Sequence, residues 1–463
     1  MTRPDPIGAR RLTRRGLLRT GGAALATGVG SSVLTGCGGG GAGSSDAVEL
    51  SFMYWGSAFE KKAIDSMLQK FDDSHDKIDA TAKFVPTSNY DTKMSSIVAA
   101  KTPPDVAYLS GSQLYDFAGK GLILNLFPYL KKYPALGDRL PSSYFWYGKD
   151  KLAANQLAQG VQILYYNSDL FGKAGLDPAP FTVDTAWSWD DFVEAATKLT
   201  LDDQGRNPSQ SGFDPKKVRQ YGTIAPTGGS PLYALLRSAG ADFINDDGTK
   251  YAMDSAAAIT VIKNVQDLIY KHRVAPTPAQ LGKNAPTTSV QLQTKRIAMI
   301  IDGNWQMLDL MEQKVPFGVA CLPKYDEPIT VTGGAAGAIF QGTKHPEQAV
   351  ELYLYYNDPA NVDLFSDGLW APLQTKYYTD PKLVDTWVTD KYPANFKTAV
   401  VEPTLKNGVI YWGQNLKNTE KIDQQVTPAT DQIGLGKDVA TVVKGLKGKV
   451  EPLLQGMWPT QEL

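Results

Sequence analysis

The feature that most constrains the fold is an alternation of strand-like and helix-like hydrophobic patterns that begins at residue 48. Residues 48–55 alternate in the period of a β-strand, and residues 59–71 place apolar side chains at every third or fourth position, the period of an amphipathic helix. Residues 77–85, 90–101 and 105–109 continue the series as strand, helix and strand. Such alternation favours an α/β fold with a mostly parallel sheet.

A second series of the same kind begins with a predicted strand at residues 161–167. Ser188, followed by two acidic residues, is the expected N-cap of a helix that runs to Leu199. Further strands are expected at 221–224, 297–301, 317–321 and 335–340, and further helices at 231–239 and 346–356. We expect the chain to return to the first series from residue 317 onward. With 463 residues, the chain is too long for one compact core, so the two series predict two domains.

The N-terminal segment follows a different pattern. Residues 13–19 (Thr-Arg-Arg-Gly-Leu-Leu-Arg) resemble a twin-arginine export signal, and residues 21–34 are too short and too rich in Gly, Ala and Thr to span a membrane. Residues 33–37 (Val-Leu-Thr-Gly-Cys) match a lipobox, in which the cysteine is acylated after cleavage. These elements predict a lipoprotein that is exported by the twin-arginine route or the general secretory route.

Cys37 is the predicted lipidation site, and residues 1–36 are the predicted signal peptide. Residues 38–45 are Gly, Ala and Ser, which have no apolar surface to bury, so we assign residues 37–47 to a lipidated, flexible tether. The expected location is the outer face of the cell membrane.

Composition excludes several classes of function. The formal net charge is -1, and no run of Lys and Arg after Cys37 is long enough for a nucleic-acid interface. Cys321, the only other cysteine, lies in a short apolar run that predicts a buried strand. We therefore expect no nucleic-acid partner and no intrachain disulfide.

Residues for catalysis or metal binding are sparse. His75, His272 and His345 lack the spacing of metal ligands, and neither a nucleophile elbow nor a P-loop motif occurs. Paired acids at 72–73 and 190–191 are sequence neighbours on a helix surface, whereas a glycosidase needs two carboxylates that face each other. The sequence therefore predicts a protein that is not an enzyme and that binds neither a metal nor a cofactor.

Aromatic and small polar residues stand at the carboxyl ends of predicted strands. Trp55 and Gly56 follow the first strand, residues 110–112 (Ser-Gly-Ser) follow another, and Trp305 follows the strand at 297–301. In open α/β sheets this edge faces the ligand crevice. Aromatic rings can pack on the C–H faces of sugars while amides and carboxylates bond to hydroxyl groups, so these residues predict a carbohydrate cleft.

Several short motifs occur in a fixed order along almost the whole chain after Cys37. They lie at residues 52–56, 102–109, 164–171, 187–192, 297–305, 318–323 and 333–334. In this order they resemble extracellular solute-binding protein family 1, the carbohydrate-binding lipoproteins of ABC importers, with maltose-binding protein as a distant relative. The chain departs from the family at residues 153–160, where the family often has a proline-containing strand.

The resemblance implies a type II periplasmic-binding-protein fold, in which two α/β lobes enclose a ligand cleft. The implied hinge crossings lie near Gly160, near Ile300 and shortly after Tyr356. Lobe 1 would comprise residues 48–160 and 301–357, and lobe 2 residues 161–300 and 358–463. The implied ligand residues, including the segments 89–91 and 228–230, are Trp55, Gly56, Ser57, Asn89, Asp91, Ser110, Gly111, Ser112, Gln162, Gly229, Ser230, Trp305, Gly333, Gly334 and Trp370.

The function implied by the resemblance is that of a monomeric, lipid-anchored receptor. It would close its lobes on a mono- or oligosaccharide and deliver this ligand to the permease subunits of an ABC transporter. Two alternatives stay open at this point. The same fold could bind an amino compound, a peptide or a metal complex, or the chain could be a surface-anchored hydrolase such as a glycosidase or an esterase.

Overall fold

The structure used here is a computed structural model, which describes residues 47–178, 182–282, 285–461 and 463. Cys37, the predicted signal peptide and almost all of the predicted tether lie outside the described residues. Within the described residues, every helix is too short or too polar to cross a membrane.

Strands and helices alternate along most of the chain, as the hydrophobic patterns predict. The strands are β1 Val48–Tyr54, β2 Ile78–Phe84, β3 Val106–Leu109, β4 Tyr144–Gly148, β5 Lys151–Gln156, β6 Gln162–Asn167, β7 Leu201–Asp202, β8 Val218–Gln220, β9 Met299–Gly303, β10 Phe317–Ala320, β11 Thr330–Thr332, β12 Ala336–Ile339 and β13 Gly408–Ile410. The helices of the first half are α1 Ala58–Ser74, α2 Thr87–Ala99, α3 Gly111–Gly119, α4 Ser168–Lys173, α5 Trp189–Leu199, α6 Gly229–Ser238, α7 Ala256–Tyr270 and α8 Pro278–Leu281. Those of the second half are α9 Thr288–Gln293, α10 Met307–Glu312, α11 Pro346–Tyr356, α12 Lys376–Thr379, α13 Pro381–Trp387, α14 Glu402–Lys406, α15 Thr419–Gly434 and α16 Val439–Val450, with a π-helical turn at Lys397–Val401.

A six-stranded sheet has the order β2-β1-β3-β12-β5-β4. β1 runs parallel to β2 and β3, whereas β12 is antiparallel to both β3 and β5, and β4 is antiparallel to β5. The sheet is therefore mixed rather than mostly parallel, because β4 and β5 form a tight hairpin and β12 enters from the opposite direction. The register Ala336↔Leu109 and Ala336↔Gln156 brings the start of β12 to the edge where β3 and β5 end.

A three-stranded antiparallel sheet has the order β10-β6-β9. The expected return of the chain to the first series at residue 317 is wrong for this strand, because β10 pairs with β6 and not with the six-stranded sheet. The strand expected at 221–224 also differs. β8 ends at Gln220, and Tyr221 makes only an isolated bridge to Ile297.

The three-stranded sheet separates two hydrophobic cores. Ile163 and Tyr165 of β6 belong to a core that also contains the helices around the six-stranded sheet. Leu164 and Tyr166, on the opposite face of the same strand, belong to a second core built from α5, α6, α7, α15 and α16. Side chains of a β-strand alternate between faces, so one short strand stabilises both halves of the protein.

Helix starts follow the predicted capping chemistry. Ser188 Oγ accepts a hydrogen bond from the Asp191 backbone N–H, and the Asp191 side chain accepts one from the Ser188 N–H, which confirms the expected N-cap. α11 occupies Pro346–Tyr356 as expected, with proline in its first turn, where a missing N–H is tolerated.

Candidate functional site

The carboxyl ends of β1 and β3 lie at one edge of the six-stranded sheet, because the two strands are parallel neighbours. Trp55 follows β1 and Ser110 follows β3, so the structure brings these two predicted residues to the same edge. The antiparallel registers of β12 and β5 bring Gly334 and residue 157 to this edge as well. Four separated segments of the chain therefore meet there.

Trp55 is half-buried at this edge. Its ring makes edge contacts with Tyr90 at 4.8 Å and with Tyr108 at 5.3 Å between ring centroids. The Tyr90 hydroxyl is held in turn by hydrogen bonding to the backbone carbonyls of Met53 and Tyr108, both at 2.9 Å. Aromatic edge contacts of this kind hold the Trp55 ring in a defined orientation while part of it stays accessible.

The serines that follow β1 and β3 cap helices. Ser57 Oγ accepts a hydrogen bond from the Glu60 N–H and donates one to Asp309 Oδ1 at 2.7 Å, and Ser110 Oγ accepts one from the Gln113 N–H. The Ser57 hydroxyl thus uses its donor and one of its two acceptor positions within the protein.

Small residues surround both caps. A Cβ placed on Gly56 would lie 2.0 Å from the Glu60 carboxylate, so a larger residue at this position would displace the Glu60 side chain. Gly111 lies in the first turn of α3, and Ser112 Oγ is 3.5 Å from Ser110 Oγ.

The carboxyl groups of Glu60 and Asp309, which are both hydrogen-bonded to Ser57, have raised pKa values. Burial raises the pKa of Glu60 to about 8, with a hydrogen bond from the Ser57 backbone acting against it and Asp309 adding to it. Burial also raises the pKa of Asp309, although its hydrogen bond from Ser57 acts in the opposite direction. The Glu60 carboxyl group can therefore donate as well as accept hydrogen bonds near neutral pH.

The predicted residues on α2 are exposed to solvent. Asn89 and Asp91 both lie in the first half of this helix, and the Asp91 backbone carbonyl accepts a hydrogen bond from Gln113 Nε2 at 3.2 Å. Desolvation by the surrounding protein and the charge of Glu420, in the first turn of α15, raise the pKa of Asp91.

Two connections of the chain cross in direct contact at Gly160, Gly333 and Gly334, which we call the glycine crossing. The Gly333 N–H donates to the Gly160 carbonyl at 3.0 Å. A Cβ on Gly160 would lie 1.9 Å from the Gly333 carbonyl oxygen, and a Cβ on Gly334 would lie 2.8 Å from that of Ala158. Glycine at 160 and 334 is therefore needed for the two backbones to approach this closely.

Trp305 lies over the glycine crossing and is open to solvent. A Cβ on Gly303 would lie 2.2 Å from its ring, and a Cβ on Gly160 would lie 3.3 Å from it. The residue is 42% exposed, and it is the only exposed aromatic residue in the part of the chain that the structure describes. An unpaired indole face above a glycine backbone is a surface on which a flat apolar group can stack.

The segment after β13 forms a further wall beside Gly333. The parallel pairing of Thr332 with Ile410 places Tyr411 next to Gly333, and the Tyr411 ring makes an edge contact with Tyr233 of α6 at 5.6 Å. Trp412, by contrast, is buried and stacks on Phe243 with ring centroids 4.0 Å apart.

Gln414 belongs to the same segment, and Asp423 follows it in α15. The Gln414 side chain donates to the backbone carbonyls of Ser142 and Tyr144. Burial and the neighbouring Glu420 raise the pKa of Asp423 to about 7, and Asp423 in turn contributes to a raised pKa at Tyr411. The sequence analysis did not identify Glu60, Asp309, Tyr411, Gln414 or Asp423, since none of them lies at the end of a predicted strand.

Gly228, Gly229 and Ser230 stand at the start of α6, close to α15. Gly228 is the N-cap and contributes no side-chain hydrogen bond, and a Cβ on it would lie 3.1 Å from Thr430 Oγ1. Gly229 has φ +65°, a left-handed conformation that glycine adopts without strain.

Two of the predicted ligand residues are buried. Gln162 is 5% exposed, has a side-chain oxygen without a hydrogen-bond partner, and borders a cavity of about 10 Å³ that also touches Cys321 and Thr330. Trp370 is 5% exposed and contacts Tyr108, Tyr356 and Phe365. Both side chains are packed away from solvent, and their role as ligand contacts stays a prediction.

A larger cavity of about 250 Å³ has none of the predicted ligand residues in its lining. Its wall includes the buried Arg139 side chain, which donates to the Asn357 side chain at 2.8 Å and to the Ala135 carbonyl at 3.1 Å. Among the described residues, no group of three or more His, Cys, Asp or Glu side chains could hold a metal ion.

Comparison with known proteins decides the family. Residues 56–363, well over half of the chain, match the family described as bacterial extracellular solute-binding protein. The chain belongs to this family. Its members are binding proteins rather than enzymes, and their extracellular character fits a location outside the cytoplasm.

Two curated relatives and one solved structure are similar to this solute-binding protein. An arabinooligosaccharide-binding protein of Halalkalibacterium halodurans is 22% identical over 49% of this chain and 47% of its own length. Its counterpart in Bacillus subtilis is 21% identical over 74% of this chain and 77% of its own length. The match thus spans about half of the first relative and about three quarters of the second.

The solved structure is an ABC substrate-binding protein from Listeria monocytogenes in complex with cycloalternan. It is 19% identical, with a TM-score of 0.74 over 88% of this chain and 99% of its own. This likeness confirms the type II periplasmic-binding-protein fold.

Proposed function

We propose that the protein captures a sugar, either a mono- or an oligosaccharide, by closing two lobes around it. The observation that carries this proposal is the Trp305 ring, 42% exposed and directly above the glycine crossing. A protein gains nothing in stability from leaving an indole in water, whereas the apolar C–H face of a sugar can stack on it. The two curated relatives are named for arabinooligosaccharides, and the Listeria protein holds cycloalternan, which supports a carbohydrate ligand.

We assign one lobe to the six-stranded sheet and the other to the three-stranded sheet with α5, α6 and α7. The chain would pass between them at residues 157–161 and 333–335, where the glycine crossing lies. Hinges of this kind absorb changes of φ and ψ in a few residues, and ligand that touches both lobes stabilises the closed state. In this assignment β10 belongs to the second lobe, as its pairing with β6 requires.

Contacts to the sugar would come from four groups of residues. The first lobe would contribute the sheet edge after β1 and β3 and the start of α2. The second lobe would contribute the start of α6. The glycine crossing would contribute Trp305, Gly333 and Gly334. The proposed contacts are Trp55, Gly56, Ser57, Asn89, Asp91, Ser110, Gly111, Ser112, Gly229, Ser230, Trp305, Gly333 and Gly334, with Gln162 and Trp370 as contacts that need a rearrangement of the packing around them.

The proposal includes a lipid anchor at Cys37 on the outer face of the cell membrane. Such an anchor keeps a monomeric binding protein close to the permease subunits of an ABC transporter, which would receive the sugar from the closed form. The support is the order of signal, lipobox and Gly/Ser tether in residues 1–47.

A ligand panel tests the binding function. The protein from Ser44 onward is incubated with arabinotriose, maltotriose, glucose, polyols and amino acids, and thermal unfolding is recorded. A ligand at 100 times its dissociation constant stabilises the native state by about 2.7 kcal/mol, which gives a clear rise in Tm. A rise with amino acids and none with any carbohydrate would overturn the sugar proposal, and turnover of a glycoside would point to a hydrolase.

The anchor is tested separately with Cys37→Ala in the full chain. We expect this variant to appear in the culture medium or as an unprocessed precursor, while the sugar affinity of the protein from Ser44 onward is unchanged. Membrane retention of processed Cys37→Ala would contradict the anchor without affecting the ligand.

A further inference from the structure

Gln414 has a side-chain amide whose orientation is fixed by the protein. The residue is 6% exposed, and Nε2 donates to the Ser142 carbonyl at 2.6 Å and to the Tyr144 carbonyl at 3.0 Å. The reverse orientation would set the side-chain oxygen against the two carbonyl oxygens with no hydrogen atom between them, which is repulsive. The amide nitrogen therefore faces Ser142 and Tyr144, and the oxygen faces the other way.

Gln414 Oε1 points towards the glycine crossing. Gln414 Oε1 lies 3.9 Å from the position that a Cβ on Gly333 would take, at the same distance from it as Tyr411 Cβ. Oε1 accepts no hydrogen bond from any of the described residues, and the atom retains some contact with solvent. A rigid acceptor without a donor thus borders the open space beside Gly333.

The surroundings keep the Gln414 amide in place. Ser142 also bonds through its hydroxyl to Gln159 Oε1 at 3.0 Å, and its carbonyl accepts from Gln156 Nε2 as well as from Gln414. All of these residues are buried. An amide held in such a network presents its oxygen at one position, and the energetic cost of ordering it is met before any ligand binds.

Trp305 lies at the same glycine crossing, beside Gly160. The Gly160 position is the common neighbour, because a Cβ there would lie 3.3 Å from the Trp305 ring and 1.9 Å from the Gly333 carbonyl oxygen. The stacking face therefore lies beside Gly160 and the fixed acceptor beside Gly333, and the backbones of these two glycines are hydrogen-bonded to each other. That combination matches a sugar ring, which has an apolar face and hydroxyl groups around its edge.

We infer that Gln414 is a specificity-determining residue, whose Oε1 accepts a hydrogen bond from one hydroxyl group of the sugar that stacks on Trp305. The inference rests on the proposed function. Because both donors of the amide are already used, Gln414 can select only a ligand group that donates. A sugar that lacks this hydroxyl leaves Oε1 enclosed without a donor. An unsatisfied acceptor of this kind costs more free energy than the removal of both hydrogen-bond partners.

The test is a cycle between protein variants and sugar analogues. Arabinotriose and maltotriose are compared with their monodeoxy and monodeoxyfluoro analogues, and Kd is measured by calorimetry for the wild type and for Gln414→Met, which keeps the volume and removes the acceptor. In the wild type, loss of one particular hydroxyl should raise Kd by about 5- to 150-fold. In Gln414→Met the parent sugar should already bind more weakly, and removal of that same hydroxyl should cost nothing further.

The outcomes separate this inference from the proposed function. If the wild type binds a parent sugar but Gln414→Met loses affinity equally for every analogue, Gln414 is only structural and the inference is overturned. If the wild type binds none of the sugars, the proposed function fails and the inference fails with it. Gln69→Met, on the exposed face of α1, is the matched control and should leave every Kd unchanged.

A second variant covers the case in which Gln414→Met does not fold. Gly333→Ala places a methyl group in the space beside Oε1 and leaves both hydrogen bonds of Nε2 intact. This variant should weaken binding of the parent sugar and reduce the discrimination at the same single hydroxyl. Unchanged affinity and unchanged discrimination in a folded Gly333→Ala variant would overturn the inference.

Discussion

Trp305 and Trp370 occupy opposite environments in the same protein. Trp305 is 42% exposed above a glycine backbone, whereas Trp370 is 5% exposed and contacts three aromatic rings. The first ring has an unused face, and the second has none. This difference indicates that an aromatic residue at a predicted cleft position is available to a ligand only where the neighbouring backbone lacks side chains to cover it.

The largest expected effect is on the buried member of the pair. Trp370→Ala removes an indole from a closely packed aromatic cluster, and deletion of a buried large aromatic costs about 3–5 kcal/mol of stability. Trp305→Ala should change the free energy of unfolding by less than about 1 kcal/mol, since its ring makes few buried contacts. Urea unfolding of both variants measures this, and equal destabilisation would remove the distinction between the two sites.

Binding should show the reverse order. If a sugar covers one face of Trp305, about 100 Å² of apolar surface at about 25 cal/mol per Å² predicts a loss of about 2.5 kcal/mol in Trp305→Ala, or roughly 70-fold in Kd. Calorimetry with the sugar identified in the ligand panel measures the effect. Leu435→Ala, another exposed apolar residue, serves as the control and should bind like the wild type. An unchanged Kd for Trp305→Ala would contradict stacking on this ring.

The glycine crossing offers a matched pair of small substitutions. Gly160→Ala forces a methyl group to within 1.9 Å of the Gly333 carbonyl oxygen, so the backbones must separate, at a cost of about 1–3 kcal/mol in stability. In Gly333→Ala the new Cβ would lie 3.9 Å from its nearest neighbouring atoms, so the variant should fold with nearly wild-type stability. Its affinity for sugar should fall. Thermal unfolding and calorimetry on both variants check the contrast, which fails if Gly160→Ala is as stable as the wild type.

A further prediction concerns the pH dependence of stability. The pKa of Glu60 is raised to about 8 by burial, so the native state holds a proton that the unfolded chain releases above its ordinary carboxyl pKa near 4.5. The stability contributed by this group is complete below about pH 4.5 and is lost as pH rises towards 8. Glu60→Gln should therefore flatten the decline in stability between pH 5 and pH 8. If the stability of the wild type and that of the variant decline equally with pH, a buried protonated Glu60 is excluded.

Periodicity and strand ends predicted where Trp55 and Ser110 lie in the fold. Trp55 and Ser110 reach one edge because β1 and β3 are parallel neighbours, and capping by Ser188 follows from local sequence alone. Gln414 could not be found in this way. It contacts Ser142 from 272 residues away, and no local pattern marks a glutamine in a turn as a fixed hydrogen-bond acceptor.

The sequence by itself determined the type and order of most helices and strands, the helix caps and the strand edge that carries Trp55, because these depend on neighbours a few residues apart. Its ordered motifs also determined the family. The tertiary structure alone decided that β10 joins β6, that Gln162 and Trp370 are buried and that Trp305 is exposed. The physical reason is strand register: a shift of one residue moves every side chain to the opposite face, and register between distant segments is set only when the whole core packs.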